Sequence, residues 1–191
     1  MAKTNETQRD KHERLEADPS SATDAIALLE ADHRAVEKPF TIFEKTASED
    51  LDAKHALVRR ACEELTIHAM IEEQFLYPAA RDALSGGPQK DVDEAYVEHF
   101  LVKTLIEKFE TLKAGMQGFD ATFRVLMENV RHHIKEEETE LFPALRSSGL
   151  DLVGLGSKLA GRKAQLDARL PKDAGDRTCA TNQIFPWLPP N

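Results

Sequence analysis

Residues 68–81 read HAMIEEQFLYPAAR and residues 133–146 read HIKEEETELFPALR, so the frame H-x-x-x-E-E-x-x-L-[YF]-P-A-x-R occurs twice, sixty-five residues apart. Positions i and i+4 of a helix are neighbours on one face. His68 and Glu72 therefore point the same way, about 6 Å apart along the axis, and so do His133 and Glu137. Leu65 precedes His68 by three residues and Phe75 follows it by seven, while Leu126 and Val130 stand likewise before His133. That spacing puts both cassettes on apolar faces, where an unpaired imidazole and carboxylate are costly. A cation held by both removes the cost.

The repeat extends upstream. His33 in DHRAVEKPFTIFEK aligns with His99 in EHFLVKTLIEKFET: an acid precedes each, and Val36, Phe43 and Glu44 match Val102, Phe109 and Glu110. Each half is thus a helix with one histidine followed by a helix with His-x-x-x-Glu. Internal repeats decide architecture, and two such hairpins predict an all-α, up-down-up-down four-helix bundle of approximate twofold symmetry. The candidate metal ligands are His33, His68, Glu72, His99, His133 and Glu137.

The repeat also sets the boundaries. Residues 1–23 are polar and charged and are expected to be a disordered arm. Residues 24–147 carry the bundle, a comfortable size for one core. Residues 148–191 form an extension in which Leu152, Leu155, Leu159 and Leu166 are spaced for a short helix, before a Pro-rich tail that docks through Phe185 and Trp187 or stays irregular. Ser21 or Thr23 is expected to cap helix 1, Ser48 helix 2 and Asp120 helix 4. Helix 2 is expected to run to about residue 84, helix 3 over about 89–114, and helix 4 to about 146. Pro78 and Pro143, each ten residues after its histidine, are expected to kink or end their helices.

Composition excludes several classes. The 191-residue chain has a net charge of −9 with 31% charged residues. It shows no basic stripe for nucleic acid and no apolar run long enough to span a bilayer. The first residues lack the apolar core of a secretory signal, so a cytoplasmic location is expected. Two cysteines, Cys62 and Cys179, make neither a disulfide framework nor a thiolate zinc site. Oligomeric state stays open between monomer and homodimer.

The other histidines fit a metal less well. His12 lies in the polar arm, His55 stands about 220° round the helix from His68, and His132 is rotated about 100° from His133. Glu73 and Glu138, one step past the ligand position, read as surface salt-bridge partners, with a supporting role behind the ligands, or ligation itself, as the alternative. Four imidazoles and two carboxylates exceed one tetrahedral zinc and suit two first-row ions bridged by carboxylates. Ligand type alone does not separate iron from zinc or manganese.

From about residue 24 to 147 the chain resembles hemerythrin-like proteins of the HHE cation-binding kind, on His33, His68-x-x-x-Glu72, His99, His133-x-x-x-Glu137 and the LYP and LFP tails. The resemblance implies two non-haem iron ions, bridged by the two glutamates and an oxo or hydroxo group, with the histidines capping each metal. It also implies a diatomic or peroxide ligand. Oxygen-carrying members have H-x-x-x-H in the third helix and H-x-x-x-x-D in the fourth. Here Ala95 and Lys103 flank His99 at i−4 and i+4, and the helix-4 carboxylate comes at i+4, which argues against simple oxygen carriage. The set also resembles bacterial di-iron proteins of iron–sulfur repair and nitric oxide stress, whose cysteine-bearing N-terminal segment has no counterpart in residues 1–23. Three uses follow: a module that binds, senses or stores iron, oxygen or nitric oxide; an enzyme that consumes peroxide or repairs oxidative or nitrosative damage; and a bundle with a purely structural metal.

Overall fold

The computed structural model describes residues 23–170, and every regular element among them is helical: α1 Ala25–Lys45, α2 Leu51–Ile71, α3 Tyr77–Ala83, α4 Gly87–Lys108, α5 Phe119–Glu136, α6 Phe142–Ser147 and α7 Leu152–Asp167. α2 runs into α3 through a π-helical turn, Glu72–Leu76, and α5 into α6 through another, Glu137–Leu141. The result is the expected four-rod bundle, with α7 laid against α1 and α2. The polar arm with His12 and Ser21, and the tail with Cys179, Phe185 and Trp187, lie outside the described residues.

The core is apolar above and below a polar layer. Ile26, Leu29, Ile71, Leu76, Leu145 and Leu159 belong to one apolar cluster. Phe40, Phe43, Cys62, Phe109, Phe123 and Met127 belong to the other. His33 falls between Leu29 and Val36 on α1, and the remaining candidate ligands fall at the same level on their own rods, so they are buried by the layers on either side.

Both π turns begin on a candidate ligand. The Tyr77 N–H donates to the Glu72 carbonyl and the Phe142 N–H to the Glu137 carbonyl, five residues back instead of four. Pro78 and Pro143 follow directly and have no N–H to give to a carbonyl four residues earlier. The wider turn takes up the break, so the rods continue past both prolines. The extra residue also advances the phase. Phe75, expected inward at i+7 from His68, is only half-buried, while Leu76 and Tyr77 are fully buried.

Several helix ends differ from expectation. Asp24 caps α1, its carboxylate accepting from the Ala27 N–H at 2.8 Å. Asp50, rather than Ser48, caps α2 by accepting from the Ala53 N–H at 3.2 Å. α5 starts just after Gly118 (φ 92°), which puts Asp120 in the first turn, where its carboxylate pairs with the buried Lys54. α4 stops at Lys108 because the chain turns at Phe109 to bury that ring against Phe119 and Phe123.

α7 is the short helix the leucine spacing predicted, with Leu155, Leu159 and Leu166 buried. Gly156 lets it approach the start of α1: a Cβ there would stand 2.4 Å from the Thr23 carbonyl oxygen and 2.8 Å from the Ala25 nitrogen. Backbone cannot yield as a side-chain tip can. Gly156→Ala is therefore expected to destabilise the fold by about 1–3 kcal/mol, the usual range for overpacking, read from chemical denaturation followed by helical circular dichroism.

Candidate metal centre

Four rods each send one imidazole into the polar layer, and two also send a carboxylate. His33 Nε2 lies 3.2 Å from His68 Nε2, and His99 Nε2 lies 3.2 Å from His133 Nε2. The glutamates join the two pairs. Glu72 Oε2 is 3.2 Å from His68 Nε2 and 3.4 Å from His99 Nε2. Glu137 Oε2 is 3.3 Å from His33 Nε2 and 3.5 Å from His133 Nε2. One oxygen of each carboxylate thus faces an imidazole from each half of the repeat. All six residues singled out in the sequence meet here.

The electrostatics of this layer ask for a cation. Glu72 is 0% and Glu137 2% exposed, and both Glu72 oxygens and Glu137 Oε2 lack a hydrogen-bond partner. Burial, and next the charge of Glu137, push the Glu72 carboxyl well above its ordinary value. For Glu137, burial acts upward but is outweighed by the charge of His133 and the hydrogen bond and charge of His33, which hold it below the carboxylate range. Two buried carboxylates so close oppose each other's ionisation, which favours a proton on Glu72 in the absence of a counter-charge. Burial lowers His68 to about 4 and His99 as well, which leaves neutral imidazole, the form that binds metal. His133 goes the other way: burial lowers it, but the charge of Glu137 and the hydrogen bond to Glu98 prevail.

Behind the inner six stands a ring of carboxylates on the Nδ1 atoms. Glu138 meets His33 Nδ1 at 2.9 Å, Glu73 meets His99 Nδ1 at 2.9 Å, and Glu98 meets His133 Nδ1 at 2.7 Å. Asp32 is one methylene shorter than its counterpart Glu98 and stops 3.8 Å from His68 Nδ1, ion-pair distance and no hydrogen bond. Each ring of this kind orients its imidazole and raises its basicity. Glu73 and Glu138 are thus both salt-bridge partners, to Lys103 and Arg34, and supports of the candidate ligands; the sequence reading had set those roles against each other. Asp32 is tied from outside the repeat by Lys163 of α7 at 3.0 Å. His55 joins no cluster of candidate ligands among the described residues.

Tyr77 was missed in the sequence. The π turn brings its hydroxyl to 3.0 Å from Glu137 Oε1, to which it donates, and 3.1 Å from His99 Nε2. Its counterpart Phe142 has no hydroxyl and stacks on His33, ring centroids 5.7 Å apart. The signal was available as the single Tyr/Phe difference in the doubled L-[YF]-P motif. A cavity of about 170 Å³ reaches all four imidazoles, with Val36, Leu65, Val102 and Val130 on its walls.

Comparison with known proteins agrees with this architecture. Residues 24–145 match the hemerythrin HHE cation-binding domain. A DNA nickase of Nostoc sp. is 31% identical over 121 residues, covering 63% of this chain and 33% of that protein. An uncharacterized hemerythrin-like protein of Schizosaccharomyces pombe is 29% identical over 114 residues, 60% of this chain and 55% of that one. The chain therefore spans about a third to a half of these curated relatives. The crystal structure of a hemerythrin HHE cation-binding domain-containing protein from Mycobacterium kansasii superposes with a TM-score of 0.65 at 23% identity, over 76% of this chain and 88% of that one, and shares the fold.

Two outcomes follow from the geometry. Glu73→Ala strips His99 of its Nδ1 partner on a half-buried side chain, so the helical content should persist while cation affinity falls about 10–100-fold, measured by competition with a chromophoric chelator. Binding must also expel the proton that the Glu72 site holds without a cation. Cation addition should therefore acidify a weakly buffered solution, and affinity should fall as pH falls. Uptake with no proton release would contradict this protonation pattern.

Proposed function

This chain belongs to the hemerythrin HHE cation-binding domain family, and from that premise we propose that it holds a pair of iron ions between His33, His68, Glu72, His99, His133 and Glu137 and presents them to a small neutral ligand: oxygen, nitric oxide or peroxide. The carrying observation is that each glutamate places one oxygen between imidazoles of opposite halves. A single closed tetrahedral ion would use four ligands and leave two buried groups uncompensated; two ions use all six. Iron pairs in this environment supply one-electron redox steps and coordination positions for small oxidants.

The protein's own residues define what reaches them. The 170 Å³ cavity is lined by Val36, Leu65, Val102 and Val130 together with Asp32, Glu64, Asp167 and Lys163; its apolar side chains admit a small uncharged molecule and its excess of carboxylates disfavours anions. Tyr77 keeps its proton, since burial raises its phenol well above the ordinary range. It therefore offers a donor at the His99–His133 side and nothing comparable at the Phe142 side. The nickase similarity gives no substrate here: the match covers a third of that protein, and a net charge of −9 repels a phosphate backbone. A peroxide-consuming enzyme is the second reading, favoured by that single phenolic donor beside the glutamate.

The test is metal analysis with an absorption spectrum on protein produced with iron. Two irons per chain with a near-ultraviolet charge-transfer band are expected, and His68→Ala should lose at least one of them. One zinc per chain, or no metal, overturns the reading. Nitric oxide should shift the band; peroxide consumed over many turnovers, and lost in His68→Ala, would select the enzyme.

A further inference from the structure

A second opening reaches the polar layer, and its lining is more uniformly acidic than that of the larger cavity, where Asp32, Glu64 and Asp167 stand beside Lys163 and apolar side chains. It is small, about 30 Å³, enough for one or two water-sized species. Asp91 and Glu94 of α4, Glu98, Glu136 and Glu140 line its walls, and His133 and Glu137 lie at its inner end. No lysine or arginine lines it. It shares only His133 with the larger cavity.

Acidic walls alone are common on a chain of this charge. Two observations go further. Glu137 is 2% exposed; its Oε1 accepts from Tyr77, but its Oε2 has no hydrogen-bond partner, so a buried carboxylate with one unpartnered oxygen lies at the inner end of the cleft. At the outer side, Glu98, His132 and Glu136 bring three ligand atoms within 4.8 Å of one another. His132 Nε2 is 3.1 Å from Glu136 Oε1 and 3.7 Å from Glu98 Oε1. Glu98 spans the two levels, because its other oxygen sits 2.7 Å from His133 Nδ1.

We propose that this acidic cleft is the path by which a divalent first-row cation reaches the buried centre, with Glu98, His132 and Glu136 as a transient outer holding site. The proposal rests on the two-ion reading of the centre and adds how it is loaded. A cleft lined by one sign of charge concentrates counter-ions and raises their association rate about 10–1,000-fold. A mixed imidazole–carboxylate trio binds such an ion through exposed groups, weakly enough to release it inward. Neutral ligands and cations then arrive by separate openings.

The experiment follows Fe2+ uptake by the full-length apoprotein in stopped flow, with the final iron content measured on the same samples. His132→Ala/Glu136→Gln/Glu140→Gln removes exposed or half-exposed side chains and leaves Glu98 and the inner six in place. Glu107→Gln/Glu128→Gln, two exposed acids outside the cleft, controls for the two negative charges lost. Uptake at least about tenfold slower in the cleft variant than in the control, with final iron unchanged, is expected. Equal rates in the two variants overturn the loading path. A normal initial rate with less iron at the end also overturns it, since the trio would then belong to the store and not to the route. Failure of the unmodified protein to take up two irons defeats the centre itself and is distinct from both.

Discussion

Two carboxylates buried side by side are the constraint on which the molecule is built. Glu72 and Glu137 sit at 0% and 2% exposure in a helical core. An isolated ion there costs several kcal/mol even after the surroundings relax. A bundle of this size accepts such groups only if something answers their charge. Burial keeps His68 and His99 neutral, so those two imidazoles answer none of that charge. A cation resolves the conflict, and much else serves to present it with a rigid ligand set. The apolar clusters above and below exclude water from the layer. The π turns that start on each glutamate absorb the breaks at Pro78 and Pro143 without ending the rods.

The second tier follows a simple exchange between halves. The acid just before each α1 or α4 histidine, Asp32 or Glu98, supports the cassette histidine of its own hairpin, His68 or His133. The acid just after each ligand glutamate, Glu73 or Glu138, supports the single histidine of the opposite hairpin, His99 or His33. Each hairpin therefore contributes half of the other's scaffold, and neither half can place its imidazoles alone. Binding and bundle closure are coupled by these cross-contacts, as metal binding and folding are in general.

The inner six were legible because i,i+4 pairing and an apolar flank are local properties, and because the duplication states them twice. The outer carboxylates were only half legible. Acids before His33 and His99 and after both ligand glutamates could be seen, but which imidazole each one meets depends on how the rods pack. Tyr77 was hidden by a phase error: straight α-helical counting turns Phe75 inward, and one extra residue in the π turn replaces it with Leu76 and Tyr77. The prolines six residues past each glutamate were the physical hint. Helix caps were misplaced by two or three residues because Ser, Thr and Asp near one another compete for the same role, and packing chose the aspartates at 24 and 50.

The departures from symmetry matter as much as the symmetry. On the His99–His133 side stand a phenol donor and a full-length Glu98 in hydrogen-bond contact; on the His33–His68 side stand a stacked Phe142 and a shorter Asp32 out of reach of His68 Nδ1. Asp32 is held instead from outside the duplicated core, by Lys163 on α7, and His68 Nδ1 is left without a hydrogen-bond partner. An imidazole with a firm carboxylate behind it is the more basic and the better fixed ligand. The two halves of the centre thus differ in donor strength, in hydrogen-bonding capacity and in dependence on α7. A duplicated scaffold with identical candidate ligands in both halves would make the halves alike; this one distinguishes them through residues that never belonged to the ligand pattern.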